Sequence, residues 1–138
     1  TPDIAAVIGL AAACDYLVGV GWDWIEERNE HLRQTLDARL AELPGVVFHR
    51  PAAGVRRACL LSLSEAKPKM KPDFFSRLLS DSFGIMTRGG HHCAHPLHDA
   101  LGVDGSLRIS LQFYNTDAEI ERVREALLSA LRTAAGGR

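Results

Sequence analysis

The chain has 138 residues, of which 46% are hydrophobic and 24% are charged, and its formal net charge is -1. This length fits one domain with a real core, and this composition is typical of a soluble globular protein. The balanced charge argues against nucleic acid or an anionic membrane as the main partner. No uninterrupted apolar run is long enough to span a bilayer, and the first residues lack the pattern of a secretory signal.

The cysteines are few and odd in number: Cys14, Cys59 and Cys93. Such a set argues against a disulfide framework and indicates a reducing compartment, so the expected localisation is cytoplasmic. Cys14 and Cys59 fall in apolar stretches and are predicted to be buried structural residues, because free cysteine packs as a small hydrophobe.

The first half of the chain predicts two helices. Thr1-Pro2 is typical of an N-cap followed by a first-turn proline, and apolar residues then recur at helical spacing to about residue 18. After a break at 19–21, Asp23 and Glu26 predict a capping box for a longer helix. The apolar stripe of that helix comprises Ile25, Leu32, Leu36, Leu40 and Leu43. The opening on Thr1 without a methionine suggests a fragment of something longer.

The second half alternates strands and helices. Strands are predicted at 46–48, 58–63, 85–87 and 107–111. Helices are predicted from Asp73 to Gly84, at 97–101, and from a Thr116–Glu119 capping box onward, with a basic loop at 65–72. This order predicts an α+β domain, in which a small antiparallel or mixed sheet is covered by helices on one face.

Residues 88–96 read Arg-Gly-Gly-His-His-Cys-Ala-His-Pro and concentrate the reactive side chains. The glycines allow backbone conformations that other residues avoid, so the thiol is expected on a loop. Adjacent imidazoles and Arg88 favour the nucleophilic thiolate of Cys93. Two other interpretations stay open. In the first, Cys93 is only a small apolar residue. In the second, it binds a metal ion together with nearby histidines, namely His91, His92, His95 and His98.

The strand at 107–111 places a second candidate residue. Its leucines and isoleucine point one way, so Arg108 points to the opposite face, where a guanidinium can hold a carboxylate by two parallel hydrogen bonds. The alternative is an ordinary surface arginine. A thiol, histidines and two arginines together would suit an anionic, amino-acid-like substrate.

Three stretches resemble the class V aminotransferase superfamily. The loop at 88–97 is similar to the active-cysteine loop of its cysteine desulfurase and selenocysteine lyase group, with the short Gly-His-His-Cys-Ala sequence. Residues 1–5 resemble the family's Gly-Thr-Pro-Asn segment, and residues 108–116 resemble its Arg-Ala-Ser-x-x-x-Tyr-Asn-Thr segment. The resemblance covers nearly the whole chain in order.

The resemblance implies roles for individual residues. Cys93 matches the nucleophile, which takes sulfur from L-cysteine as a persulfide and leaves L-alanine. Arg108 matches the arginine that binds the substrate carboxylate, and Thr1 matches the threonine that reaches the phosphate of pyridoxal 5'-phosphate (PLP), usually across a dimer interface. Supporting roles in substrate binding fall to Arg88, His91 and His92. A sulfur-acceptor protein, a homodimer and a place in iron-sulfur cluster assembly are further expectations of the family.

One family feature is missing from the chain. All three lysines, Lys67, Lys69 and Lys71, lie in one loop and none matches the lysine that holds the cofactor. The resemblance therefore implies a C-terminal small domain at 21–134, a hinge helix at 1–20 leading from a missing large domain, and a frayed tail at 135–138. The fragment alone is expected to be inactive and not to bind PLP stably. The alternatives are another class V reaction, such as that of a lyase, an epimerase or an aminotransferase, or a small metal-binding module.

Overall fold

The computed structural model describes residues 2–52 and 54–136, and these form helices and strands of an α+β domain. The helices of the described residues are α1 (Ile4–Val20), α2 (Trp22–Leu40), α3 (Pro72–Phe83), α4 (His95–Leu101) and α5 (Asp117–Gly136). The strands are β1 (Val46–His49), β2 (Leu60–Glu65), β3 (Arg88–Gly90) and β4 (Ser106–Ser110). The predicted fold class is confirmed.

The strands form one antiparallel sheet in the order β1-β2-β4-β3. Side chains alternate between its faces, and the register therefore sorts them into two sets. The helix face carries apolar residues, which are Phe48, Leu61, Leu63, Leu107 and Ile109. The polar face carries His49, Ser62, Ser64, Arg88, Ser106 and Arg108.

The core lies between the helix face and three helices. Leu36 of α2, Leu79 of α3 and Leu127 of α5 are essentially unexposed and pack in one cluster with Leu61 and Leu107 of the sheet. Burying each such side chain contributes about 1.5–3 kcal/mol, so this layer supplies most of the stability. The predicted apolar stripe is confirmed by burial: four of its members lie on α2, and the fifth, Leu43, is buried just beyond the end of the helix.

The polar face is approached by α4. The buried imidazole of His98, on α4, lies 3.1 Å from the Ser106 hydroxyl. The helices therefore cover one face, as predicted, and one short helix reaches the other face over the strand that carries Arg108.

The third strand is not where the sequence placed it. It comprises 88–90 rather than 85–87, because backbone groups of residues 85–87 are already hydrogen-bonded to α3. The Ile85 amide donates to the Leu79 carbonyl at the end of that helix, and the Thr87 carbonyl accepts from the Ser76 hydroxyl at 2.7 Å. Pairing with β4 begins only where these contacts end.

Several helix starts differ from the prediction. Helix α1 begins at Ile4 after the N-cap residue Asp3, whose carboxylate accepts from the Ala6 amide at 3.0 Å, so Pro2 precedes the helix and is not its first-turn proline. Helix α4 begins at His95 rather than at residue 97.

The starts of α2 and α3 also differ. The break between α1 and α2 is the single residue Gly21, with φ at 93°, so α1 continues to Val20. Asp23 then already lies within the first turn of α2, and the predicted capping box with Glu26 is wrong. Similarly, α3 begins at Pro72 after the N-cap residue Lys71, so Asp73 is a first-turn residue.

Helix α1 stands apart from the core. None of its 17 residues is buried, and the side chains of Ile4, Val7, Ile8 and Leu10 are between 63% and 67% exposed. Cys14 is consequently exposed, so its predicted burial is wrong, whereas Cys59 is buried as predicted. No single described helix is long and apolar enough to cross a membrane, and α1 and α2 reach that length and composition only as a pair bent by 79°.

Candidate active site

The Cys93 turn, defined as residues 91–94, follows β3 directly and presents the thiol to solvent. The Ala94 amide closes it by donating to the His91 carbonyl at 2.8 Å. Both central residues are left-handed, with φ at 53° for His92 and 59° for Cys93, the φ signs of a type I′ turn. Left-handed backbone costs a residue with a Cβ about 1–2 kcal/mol. Such strain persists where the surroundings enforce it, and it clusters at functional sites.

The two positions before the turn require glycine for different physical reasons. Gly90 has φ at 106°, so its freedom is conformational, as the sequence suggested. Gly89 is needed for space, because a Cβ there would overlap the carbonyl oxygen of Pro72. Together they seat β3 directly on the first turn of α3, which fixes the point where the Cys93 turn leaves the sheet.

Ser106 on β4 anchors the turn on both sides of Cys93, through hydrogen bonds with two histidines. His92 lies 3.1 Å from the Ser106 carbonyl through Nε2, so Nε2 carries a proton and donates it. His98 donates Nδ1–H to the Ala94 carbonyl at 3.0 Å, so in the neutral ring its Nε2 accepts from the Ser106 hydroxyl at 3.1 Å. The residues on either side of Cys93 are therefore held to one residue of the sheet.

A polar row crosses the sheet beside the turn. The register pairs His49 with Ser62, Ser62 with Arg108, and Arg108 with Arg88. The two guanidinium groups are directly cross-strand, and neither has a carboxylate within ion-pair distance among the described residues. Like charges in this arrangement repel each other, so the pair is suited to an anion from outside.

The electrostatics of the site keep one histidine neutral. The pKa of His92 is lowered from its ordinary value, first by burial and then by the positive charge of Arg108 and, less strongly, of Arg88. The hydrogen bond to Ser106 opposes this shift. The Nδ1 atom of His92 is buried and has no hydrogen-bond partner among the described residues. The ring thus offers a free lone pair inside the site.

The structure brings most of the predicted site residues together. Cys93, His91 and His92 form the turn, and Arg88 and Arg108 lie on the two strands beside it. Thr1 lies outside the described residues. The assigned roles of all these residues stay predictions, since their location alone does not test them.

Sequence reasoning missed Ser106 and His98. Ser106 lies two residues before Arg108 and so shares its face, which is the signal that strand alternation offered. His98 was considered only as a metal ligand, and its burial could not be read from one turn of helix. Among the described residues, no three His, Cys, Asp or Glu side chains converge to hold a metal ion. Instead His91 stacks on His95 at 4.4 Å and lies 3.3 Å from Asp104.

Comparisons with known proteins agree with this architecture. The family model described as aminotransferase class-V matches residues 1–123. A probable cysteine desulfurase of Xylella fastidiosa (strain Temecula1) is 40% identical over 128 residues, which are 93% of this chain and 30% of that protein. A cysteine desulfurase of Salmonella newport is 36% identical over 123 residues, which are 89% of this chain and 29% of that protein. The chain thus spans about 30% of the length of the curated relatives it matches.

Solved structures show the same likeness. The apo cysteine desulfurase from Thermococcus onnurineus NA1 superposes with a TM-score of 0.86 at 32% identity, over 96% of this chain and 32% of that chain. The cysteine desulfurase CsdA (S-sulfonic acid) from Escherichia coli gives a TM-score of 0.84 at 32% identity, with the same coverage. With a family model matching most of its length, this chain belongs to the class V aminotransferase family, whose members are in general PLP-dependent enzymes.

Proposed function

We propose that the chain is the C-terminal small domain of a PLP-dependent cysteine desulfurase, in which Cys93 receives sulfur from L-cysteine. The observation that carries the proposal is the exposed Cys93 thiol on a strained turn, next to two cross-strand arginines that lack a described carboxylate partner. The relatives named cysteine desulfurase support this choice of reaction within the family.

The arginines recognise the substrate in this proposal. Arg108 holds the α-carboxylate through paired charge-assisted hydrogen bonds, each worth about 1.5–3 kcal/mol. Arg88, directly opposite, adds positive charge, and an incoming carboxylate relieves the repulsion between the two guanidinium groups. Binding of an amino acid carboxylate is therefore favoured over binding of a neutral or cationic group.

Cys93 performs the transfer. Its thiolate attacks the substrate sulfur, so an S–S bond forms while the substrate Cβ–S bond breaks, and the electron pair stays on Cβ. Protonation of that carbon gives L-alanine, and the sulfur remains on Cys93 as a persulfide for a sulfur-acceptor protein. The cofactor supplies the electron sink that makes cleavage of the Cβ–S bond possible.

The lysines of this chain do not fit the role of cofactor lysine. Lys67 and Lys69 line a surface groove with Leu128 and Leu131. Lys71 precedes Pro72, whose carbonyl approaches Gly89 from the helix face, whereas Arg108 lies on the polar face. We infer that the cofactor is held by a part of a longer enzyme outside these residues, so that the chain alone is inactive and does not bind PLP stably.

Helix α1 supports the same inference. Its apolar side chains are uncovered, and the chain accounts for about 30% of its relatives' length. We infer that residues 1–20 pack on the remainder of a longer, homodimeric, cytoplasmic enzyme. Selenocysteine as an alternative substrate and a place in iron-sulfur cluster assembly belong to the same proposal.

The test uses the full-length enzyme that contains this chain. L-cysteine and a reductant are added, and sulfide and alanine are assayed together. We expect equal release of both products, lost in Cys93→Ala and retained in Cys14→Ala, which removes the other thiol that is exposed in this chain. Persulfide formation at the normal rate in Cys93→Ala would rule out the role of Cys93. Bound cofactor without sulfide release would move the function to another class V reaction.

A further inference from the structure

Only one ring nitrogen of His92 is used to hold the Cys93 turn, and the other is left without a structural role. Its Nε2–H donates to the Ser106 carbonyl at 3.1 Å, which fixes the tautomer and leaves the lone pair on Nδ1. That Nδ1 atom is buried and finds no donor among the described residues. A buried acceptor without a donor costs about 1–3 kcal/mol, so an arriving donor would regain that energy.

Charge around the ring keeps this acceptor available. Arg108 and Arg88 on the neighbouring strands and His98 on α4 all oppose a proton on His92, as does burial, and the pKa is lowered. The ring is therefore neutral at pH 7. His91 has a different neighbour, since its Nε2 lies 3.3 Å from the Asp104 carboxylate.

The position of the acceptor relative to the arginine suggests which donor it meets. Ser106, which anchors His92, lies two residues from Arg108 on the same face of β4, so the His92 ring and Arg108 lie along the same short stretch of the strand. An amino acid whose carboxylate is held by Arg108 extends only a few bonds to its side chain. The thiol of L-cysteine is a donor of the required kind, since it has one weakly held proton.

We propose that His92 Nδ1 accepts the thiol proton of the substrate while Arg108 holds its carboxylate. This rests on the proposed function and assigns His92 a catalytic role in it. As Cys93 attacks, the substrate S–H bond breaks and its proton passes to Nδ1, while the sulfur moves to Cys93 as a persulfide anion. The electron pair of the cleaved Cβ–S bond stays on Cβ. The imidazolium beside two arginines is unstable, so it gives its proton to the Cβ carbanion, which becomes the methyl group of L-alanine, and the acceptor is restored.

The first test needs only this chain. Nitrogen-15 chemical shifts of the imidazole rings at pH 7.5 distinguish the tautomers. We expect the Nε2–H form for His92 and the Nδ1–H form for His98. A His92 ring protonated at Nδ1 has no acceptor to offer and would overturn the proposal without bearing on desulfuration.

The second test uses the full-length enzyme. His92→Gln places an amide nitrogen near the Nε2 position and keeps the donor to Ser106, but it lacks the acceptor at Nδ1. His92→Asn places an oxygen near Nδ1 and loses the anchor. Because a positioned base contributes about 10²–10⁴-fold and an amide oxygen cannot take up a proton, we expect kcat for sulfide release to fall about 100-fold in both variants.

The matched control is His95→Gln, an exposed histidine of the same segment, which should retain wild-type kcat. Cofactor content and the rate of Cys93 alkylation are measured in each variant and should not change. Since His92→Gln keeps the donor to Ser106, a His92→Gln kcat within twofold of wild type would overturn the inference. Wild-type enzyme that releases no sulfide would instead contradict the proposed function.

Discussion

The two faces of the sheet divide stability from chemistry. The helix face is apolar and packs against α2, α3 and α5. The polar face instead carries two arginines without a described carboxylate partner and a serine that is hydrogen-bonded to two histidines. Adjacent residues of one strand belong to opposite faces. A single five-residue strand, β4, therefore contributes both core leucine and isoleucine and the candidate carboxylate-binding arginine. The predictions below compare the faces residue by residue.

The sharpest comparison uses two neighbours on β2. Leu61 is 1% exposed on the helix face, and Leu61→Ala should lower the free energy of unfolding by about 2–5 kcal/mol, since it removes transfer energy and leaves a cavity. Ser62→Ala, on the polar face, should change it by no more than about 0.5 kcal/mol. Urea unfolding of both variants measures the difference. Equal losses would contradict the division of the sheet.

Two glycines offer the next comparison. Gly89→Ala forces a Cβ against the Pro72 carbonyl, and we expect a loss of about 1–3 kcal/mol from overpacking. Gly9→Ala, in the middle of α1 with nothing within 4 Å, should instead stabilise the chain by about 0.5–1 kcal/mol through helix propensity. Thermal unfolding of the two variants checks the opposite signs. Stabilisation by Gly89→Ala would show that β3 does not approach α3 so closely.

The histidines of the polar face predict a pH dependence of stability. Burial lowers the pKa of His49 and of His92 below the ordinary value of 6.5. The unfolded chain then binds more protons between the folded and unfolded pKa values, so stability should fall as pH drops below about 6.5. Carboxylates such as Glu30, whose pKa is lowered to about 2 by its hydrogen bonds with Arg33 and Gln34, lose their contribution only at lower pH.

Urea unfolding at pH 7.5, 6.5 and 5.5 measures this effect. The double variant with His49→Gln and His92→Gln should lose most of the dependence, and His95→Gln should retain it. A wild-type chain with the same stability at all three pH values would contradict neutral, partly buried imidazoles at His49 and His92.

The smallest effect concerns the cross-strand arginines. Because like charges directly opposite each other destabilise a strand pair, Arg88→Gln should raise the free energy of unfolding by about 0.2–1 kcal/mol. The gain should shrink at high salt, which screens exposed charges. Arg77→Gln, on α3, is a control without this geometry. A loss of stability in Arg88→Gln would mean that Arg88 has a favourable partner.

Local patterns in the sequence anticipated much of the fold. The stripe of α2 and the capping box of α5 depend on residues three or four apart, and both are present: Thr116 Oγ1 accepts from the Glu119 amide at 3.3 Å, and the Thr116 amide donates to the Glu119 carboxylate at 2.8 Å. The alternation of β4 likewise placed Arg108 opposite the core. These features were predictable because each depends only on residues that are close together in the sequence.

Two of the predictions that failed were decided by contacts outside the segment concerned. Cys14 lies on a helix as expected, yet it is exposed because nothing described covers α1. The strand at 85–87 is absent because contacts with α3, earlier in the chain, use its backbone groups.

The sequence by itself determined which side chains share a face of α2, β4 and α5, and it located the reactive segment at 88–96. Only the tertiary structure decided the left-handed backbone of His92 and Cys93, the pairing of Arg88 with Arg108, and the anchoring of the turn to Ser106. The reason is physical. Face assignment follows from a local repeat, whereas strand register and backbone strain are set by contacts that close only when segments far apart in the chain meet.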